Sequence, residues 1–156
     1  MIMNGYLGDP DATAESVTED GFVSAGDIAV MDEERFLYIV DRKKDMIISG
    51  GLNVYGREVE QAIVEHPAVK AVAVIGAPSE RWGEEVTAMI VVTDGREPPT
   101  PGELDSHCRA SLAGYKVPRA YSFIDALPVS AAGKVLKREL RDQLAGAALV
   151  RPPERR

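Results

Sequence analysis

The chain has 156 residues, 45% of them hydrophobic and 28% charged, which is the balance of a folding globular protein and too short for two large catalytic domains. With 18 Lys and Arg against 25 Asp and Glu the formal net charge is −7, so there is no overall positive field for nucleic acid or anionic lipid and any anion site must be local. Cys108 is the single cysteine and has no internal disulfide partner. No apolar run approaches a membrane span and no cationic-then-apolar leader opens the chain, so a reducing cytoplasm is the expected location.

Residues 1–30 are rich in Gly, Asp, Thr and Glu, with short apolar pieces that predict turns and brief strands without a core of their own. Arg35 to Val40 predicts a strand, the cluster Asp41-Arg-Lys-Lys-Asp45 a charged turn, and Met46 to Ile48 a second extended run. From Arg57 to His66, Val59, Ala62, Ile63 and His66 fall on one helical face, and Pro67 stops the helix.

Ala68–Ile75 and Val86–Val92 are β-branched and apolar on both faces, which predicts a buried hairpin around the loop 76–85. Thr100-Pro-Gly-Glu103 carries an N-cap, a proline at the first helical position and a glutamate placed to close a capping box; Leu104, Cys108 and Leu112 continue as a stripe. A short strand near Tyr121–Ile124 and a last helix with Leu136, Leu140 and Leu144 complete the pattern, and 146–156 is expected to be a flexible tail. The order predicts an α+β fold, a short antiparallel sheet packed with about three helices, with a boundary near Asp41–Asp45.

Among the short stretches that carry chemistry, Gly133-Lys134 invites a phosphate-loop reading, which the spacing refuses: the position of the first glycine is Pro128 and that of the Ser or Thr is Val135. Lys134 then stands either as a solvated lysine beside a helix start, where its charge is mildly misplaced, or as a mobile cation for a carboxylate or phosphate. Gly26-Asp27 reads as a turn or as a carboxylate facing a diol, and the charged run before Ser49-Gly50-Gly51 as a hairpin turn or a place of close backbone approach. Trp82 is expected to anchor its loop, and His66 and His107 to pack. No His/Cys metal spacing and no Ser/His/Asp set is present.

In order, "GYLGDPDAT", "GFVSAGDIAV", "YIVDRKKDMIISGGLNVYGREVE", "HPAVKAVAVIGAP", "WGEEVTAMIV", "LAGYKVP" and "LPVSAAGKVLKRELR" resemble the C-terminal part of adenylate-forming (AMP-binding) enzymes, the acyl-CoA synthetases above all. The resemblance covers residue 1 to about 144. It implies an ATP-dependent acid–thiol ligase that makes an acyl-adenylate, releases pyrophosphate, and passes the acyl group to coenzyme A, with a small C-terminal domain rotating between the two half-reactions. Residues 1–40 would be the end of the large AMP-binding domain and 41–145 the C-terminal lid.

By the same resemblance Lys134 matches the catalytic lysine, Asp27 and Arg42 the residues at the AMP ribose, Lys44 the hinge, and Gly51 the glycine past which the pantetheine arm runs. ATP and coenzyme A are the implied small molecules. Mg2+, the carboxylic or fatty acid pocket and the phosphate loop are expected in the large domain, the implied partner, so the chain alone is expected to be inactive. The pattern departs at Ala25, which stands before Gly26-Asp27 in place of threonine, and at Ala132 before Gly133-Lys134. A stand-alone binding or regulatory module docking on a partner AMP-binding domain, and a carrier-protein-loading relative, are the alternatives to a CoA ligase.

Overall fold

The computed structural model describes residues 3–153, apart from the side chain of Ala145. Two compact units follow one another, the first ending at Lys44 and the second beginning at Asp45. The division falls after the expected 40/41 boundary because the second strand of the first unit runs on to Arg42, paired with Asp27.

In the first unit, helix α1 (Pro10–Ser16) was not expected from the sequence. It has local signals all the same: Pro10 opens it, and Asp9 caps it by accepting the Ala12 N–H at 2.9 Å. Strands β1 (Asp27–Met31) and β2 (Leu37–Arg42) form an antiparallel ribbon with a bulge between Ile28 and Ala29. Two strands bury little, and Val30, Met31, Phe36, Leu37, Tyr38 and Ile39 are all exposed on this unit.

The second unit is built around the hairpin of β5 (Val69–Ser79) and β6 (Gly83–Val92), which pairs from Val69↔Val92 to Ser79↔Gly83. Pairing thus continues through most of the expected loop 76–85. β6 also bonds to β3 (Ile47–Ser49) at Gly83, and β3 pairs with β4 (Leu52–Val54). On the same strand β7 (Ala120–Phe123) runs parallel to β6 from Thr87 to Ile90, so the sheet is antiparallel except at this pair. The connection that makes it parallel contains α3 (Pro101–Arg109).

Alternation along the hairpin sends side chains to two cores. Val74, Val86, Ala88 and Ile90 pack with Val59 and Ile63 of α2 (Gly56–Val64), with Leu104 and Cys108 of α3, and with Tyr121. Ala73, Ile75 and Met89 pack instead with Leu140 of α4 (Lys137–Gln143). The capping box of α3 forms as its sequence requires: Glu103 N–H donates to the Thr100 hydroxyl and Glu103 Oε2 accepts the Thr100 N–H at 2.8 Å. Burial among these apolar neighbours pushes the Cys108 thiol up to about 11, so it stays a packed thiol.

The expected flexible tail 146–156 is otherwise at two positions. Val150 and Tyr121 exchange backbone hydrogen bonds of 2.8 and 2.9 Å, and Arg151 takes both carboxylate oxygens of Glu85 at 2.6 and 2.9 Å. The physical reason is that β7 has an open backbone edge, while Glu85, nearly buried, needs a countercharge. Residues 154–156 of that expected tail lie outside the described residues.

His66 and His107 lock α2 to α3 as an edge-on ring pair with centroids 5.2 Å apart. His107 Nε2 lies 2.9 Å from the Ala62 carbonyl, and His66 Nδ1 accepts the Ala68 N–H. Burial, then the neighbouring His107 and Arg96, lower the His66 pKa from its ordinary 6.5, with Glu103 opposing. The unfolded chain therefore holds more protons in the window just below 6.5, and folding stability rises with pH there. In urea unfolding between pH 5.5 and 8 we expect the midpoint to increase with pH, and His66→Gln to reduce that increase; an unchanged increase would contradict this role.

Candidate active site

In the first unit, Asp27 and Arg42 face each other across the β1–β2 ribbon. The Asp27 Oδ1 to Arg42 Nε distance is 3.9 Å, and both side chains are partly exposed. The Gly26 turn that precedes Asp27 has φ +73°, and its carbonyl accepts the Lys43 N–H at 2.8 Å, closing the end of the ribbon. A carboxylate held this way, at a long distance from its counter-ion, keeps acceptor capacity for two adjacent hydroxyls. Lys44 lies in a single 3-10 turn, Lys43–Asp45, and is exposed at the last position of the unit.

In the second unit, Gly50-Gly51 make the two-residue turn joining β3 to β4. Their φ values of +59° and +80° are those of a hairpin turn of the primed type, which needs left-handed backbone at both central positions. The two glycines differ in surroundings. A methyl on Gly50 would meet Trp82 Cε3 at 2.9 Å, whereas one on Gly51 would meet nothing within 4 Å. Gly50 N–H donates to the Trp82 carbonyl at 2.9 Å, so Trp82 does anchor its loop, and Gly51 is the open side of the turn.

Lys134 sits on a tight loop. Val129 and Val135 form an isolated bridge, Ser130 N–H donates to the Lys134 carbonyl at 2.8 Å, and Lys134 N–H donates to Ser130 Oγ at 3.2 Å. Gly133 turns the chain with φ +74°, and the Leu136 N–H closes the loop on the Pro128 carbonyl at 2.8 Å. The lysine is exposed, with no ion pair among the described residues. Its expected place directly at a helix start is displaced by this loop: α4 begins only at Lys137, so Lys134 is presented on a hairpin tip rather than on a helix end.

The sequence did not lead to Arg119. Its guanidinium lies 4.0 Å from the centre of the Trp82 ring, with Arg81 at 4.7 Å from the same ring. Burial, and then the charge of Arg81, push the Arg119 pKa down, and its Nε is buried without a hydrogen-bond partner. Neither arginine has an ion pair among the described residues, while Arg109 and Arg151 in the same cleft are paired to Asp105 and Glu85. Two guanidiniums against one indole, neither in an ion pair among the described residues, suit an anionic group. The 36 residues between Trp82 and Arg119 hide that pairing from any local pattern. Among the described residues no group of three or more His, Cys, Asp or Glu could hold a metal ion, and no helix is long and apolar enough to cross a membrane.

Residues 58–134 match the family model of the AMP-binding enzyme C-terminal domain. This chain carries an AMP-binding enzyme C-terminal domain. A long-chain-fatty-acid–CoA ligase of Yersinia pestis is 51% identical over 92% of the chain and 25% of its own length. A feruloyl-CoA synthase of an Amycolatopsis species is 49% identical over 90% of the chain and 28% of its own length. The crystal structure of ATP-bound MatB from Rhodopseudomonas palustris superposes with a TM-score of 0.83 at 37% identity, covering 91% of the chain and 28% of that protein. The chain thus spans about a quarter of the length of the curated relatives it matches.

The two turn glycines give a direct check on the packing of the β3–β4 turn against Trp82. Gly50→Ala and Gly51→Ala each place an L side chain in the left-handed region, at a cost of about 1 kcal/mol. Gly50→Ala must also displace Trp82, which adds on the order of 1–3 kcal/mol. Thermal unfolding should rank Gly50→Ala well below Gly51→Ala; equal midpoints would contradict the packing described.

Proposed function

We propose that the chain is the C-terminal part of an ATP-dependent acyl-CoA ligase, joining a carboxylic acid to coenzyme A with release of AMP and pyrophosphate. The observation that carries this reading is the unpaired, exposed Lys134 on a closed hairpin loop, in a domain of the AMP-binding family. Such an ammonium is free to enter a site completed by another domain and to stabilise the charge that develops between a carboxylate and the α-phosphate of ATP during adenylation. Asp27 is proposed to accept from the ribose hydroxyls, with Arg42 facing it across the ribbon near the nucleotide.

Lys44 is proposed as the pivot, since it is the last residue of the first unit and its turn belongs to no strand. Gly51, open on its outer side, offers a surface along which a pantetheine arm can pass close to backbone. The Trp82–Arg119 cleft supplies charge for the phosphates of coenzyme A. The large AMP-binding domain, with the acid pocket and Mg2+, is the partner this reading requires. Relatives named for a long-chain fatty acid and for ferulate match this segment almost equally well, so the acid is chosen outside it. A cytoplasmic location fits the substrates.

The test is to join the chain to the large domain of the Yersinia pestis ligase in place of the segment it matches, and to measure the two half-reactions separately. Lys134→Ala should reduce acid-dependent ATP–pyrophosphate exchange by about 10²-fold or more while leaving acyl transfer from preformed acyl-adenylate to coenzyme A within a few-fold. Equal loss in both steps would contradict the assigned role. A separate chain that binds the large domain, while the folded joined protein catalyses neither step, would favour a regulatory docking module.

A further inference from the structure

The loop that carries Lys134 is closed on itself, so its hydrogen bonds shape it without fixing where it stands on the sheet. That is left to α4, which follows at once and is only seven residues long. α4 has no side-chain cap at its N-terminus and buries one residue completely, Leu140. Leu144 at its C-cap and Leu127 ahead of the loop add only partly buried contacts to the same cluster, and so thin an apolar hold leaves a short helix room to roll. Its first turn moreover begins with Lys137 and Arg138, positive charges at the positive end of the helix.

Two ion pairs answer both problems. Lys137 Nζ lies 2.8 Å from Glu60 Oε1, with both side chains largely withdrawn from solvent. The same Glu60 oxygen accepts the Val74 N–H at 2.8 Å, so one carboxylate ties α2, the edge strand β5 and the start of α4. One turn further on, Arg141 reaches Asp45 Oδ1 at 3.4 Å, again with both partly buried. Lys137 and Arg141 are four apart and therefore on one face of α4. Asp45 is the first residue of the second unit and follows Lys44 directly in the chain.

We infer that Glu60 and Asp45 are positioning residues for adenylation: through Lys137 and Arg141 they clamp α4, and so hold the Lys134 loop in fixed register with the residue that follows the pivot. The inference rests on Lys134 acting in adenylation and Lys44 acting as the hinge. When the unit turns at Lys44, the clamp makes Lys134 arrive at a defined place instead of trailing on a loose helix. Because Lys134 is not used in the thioester-forming step, the clamp serves one half-reaction and not the other.

Glu60→Gln keeps an oxygen for the Val74 N–H and removes the negative charge that faces Lys137; Asp45→Asn likewise removes only the charge that faces Arg141. In the joined protein, the double variant E60Q/D45N should lower kcat for ATP–pyrophosphate exchange about tenfold, the scale expected when a reacting group is misplaced by a fraction of its reach. Acyl transfer from preformed acyl-adenylate should be unchanged. In the 156-residue chain itself, amide exchange at 130–136 should quicken in the double variant while β5 and β6 keep their protection. Unchanged pyrophosphate exchange, or an equal fall in both half-reactions with loss of β5 and β6 protection, would overturn the inference. Lys134→Ala, run alongside, separates the two levels: if it leaves pyrophosphate exchange intact, the assignment of Lys134 itself fails.

Discussion

The second unit depends on one constraint: the β5–β6 hairpin is apolar on both faces and must be covered on both. One face is covered by α2 and α3 with Val59, Ile63, Leu104 and Cys108, the other by α4 with Leu140. The second cover is much thinner. The functional consequence follows from that asymmetry, because the lysine-bearing loop is attached to the thinly covered side and takes its position from a helix that hydrophobic burial alone would hold poorly. Charge is used where area is lacking, and the half-buried pairs Lys137–Glu60 and Arg141–Asp45 sit where a lost partner would leave a poorly solvated ion.

The first unit shows the opposite condition. Its ribbon exposes Leu37, Tyr38, Ile39, Val30 and Met31, a larger apolar surface than two strands and a seven-residue helix can bury. Such a surface is understandable on the proposal that it belongs to the sheet of a larger domain. The carboxylate of Asp27 and the guanidinium of Arg42 lie at the end of that ribbon, where a bulge and the Gly26 turn set their facing positions.

Much of this was legible in the sequence where one short stretch contains both partners of an interaction. Thr100 and Glu103 read as a capping box because the hydrogen bonds join residues three apart, and the α2 stripe reads from Val59 and Ile63 alone. α1 escaped because its seven residues bury nothing, which leaves no apolar period, although Asp9-Pro10 carried the start signal. The parallel β7 escaped because partner choice is set by the α3 crossover rather than by Tyr121 or Phe123. For the site, Gly133-Lys134 was visible as a spacing that excludes a phosphate loop, but the role proposed for Lys134 came from resemblance. Arg119 over Trp82 and Lys137 on Glu60 could not be read locally, since each pair is brought together only by the sheet.

The claim at the centre of the account is that this chain supplies one part of a divided active site. It is tested most directly by acid-dependent ATP–pyrophosphate exchange measured on three proteins: the chain alone, the large domain of the Yersinia pestis ligase alone, and the two joined. Exchange that appears only in the joined protein is the predicted result. Exchange by the chain alone, or a joined protein no faster than the large domain by itself, would contradict it.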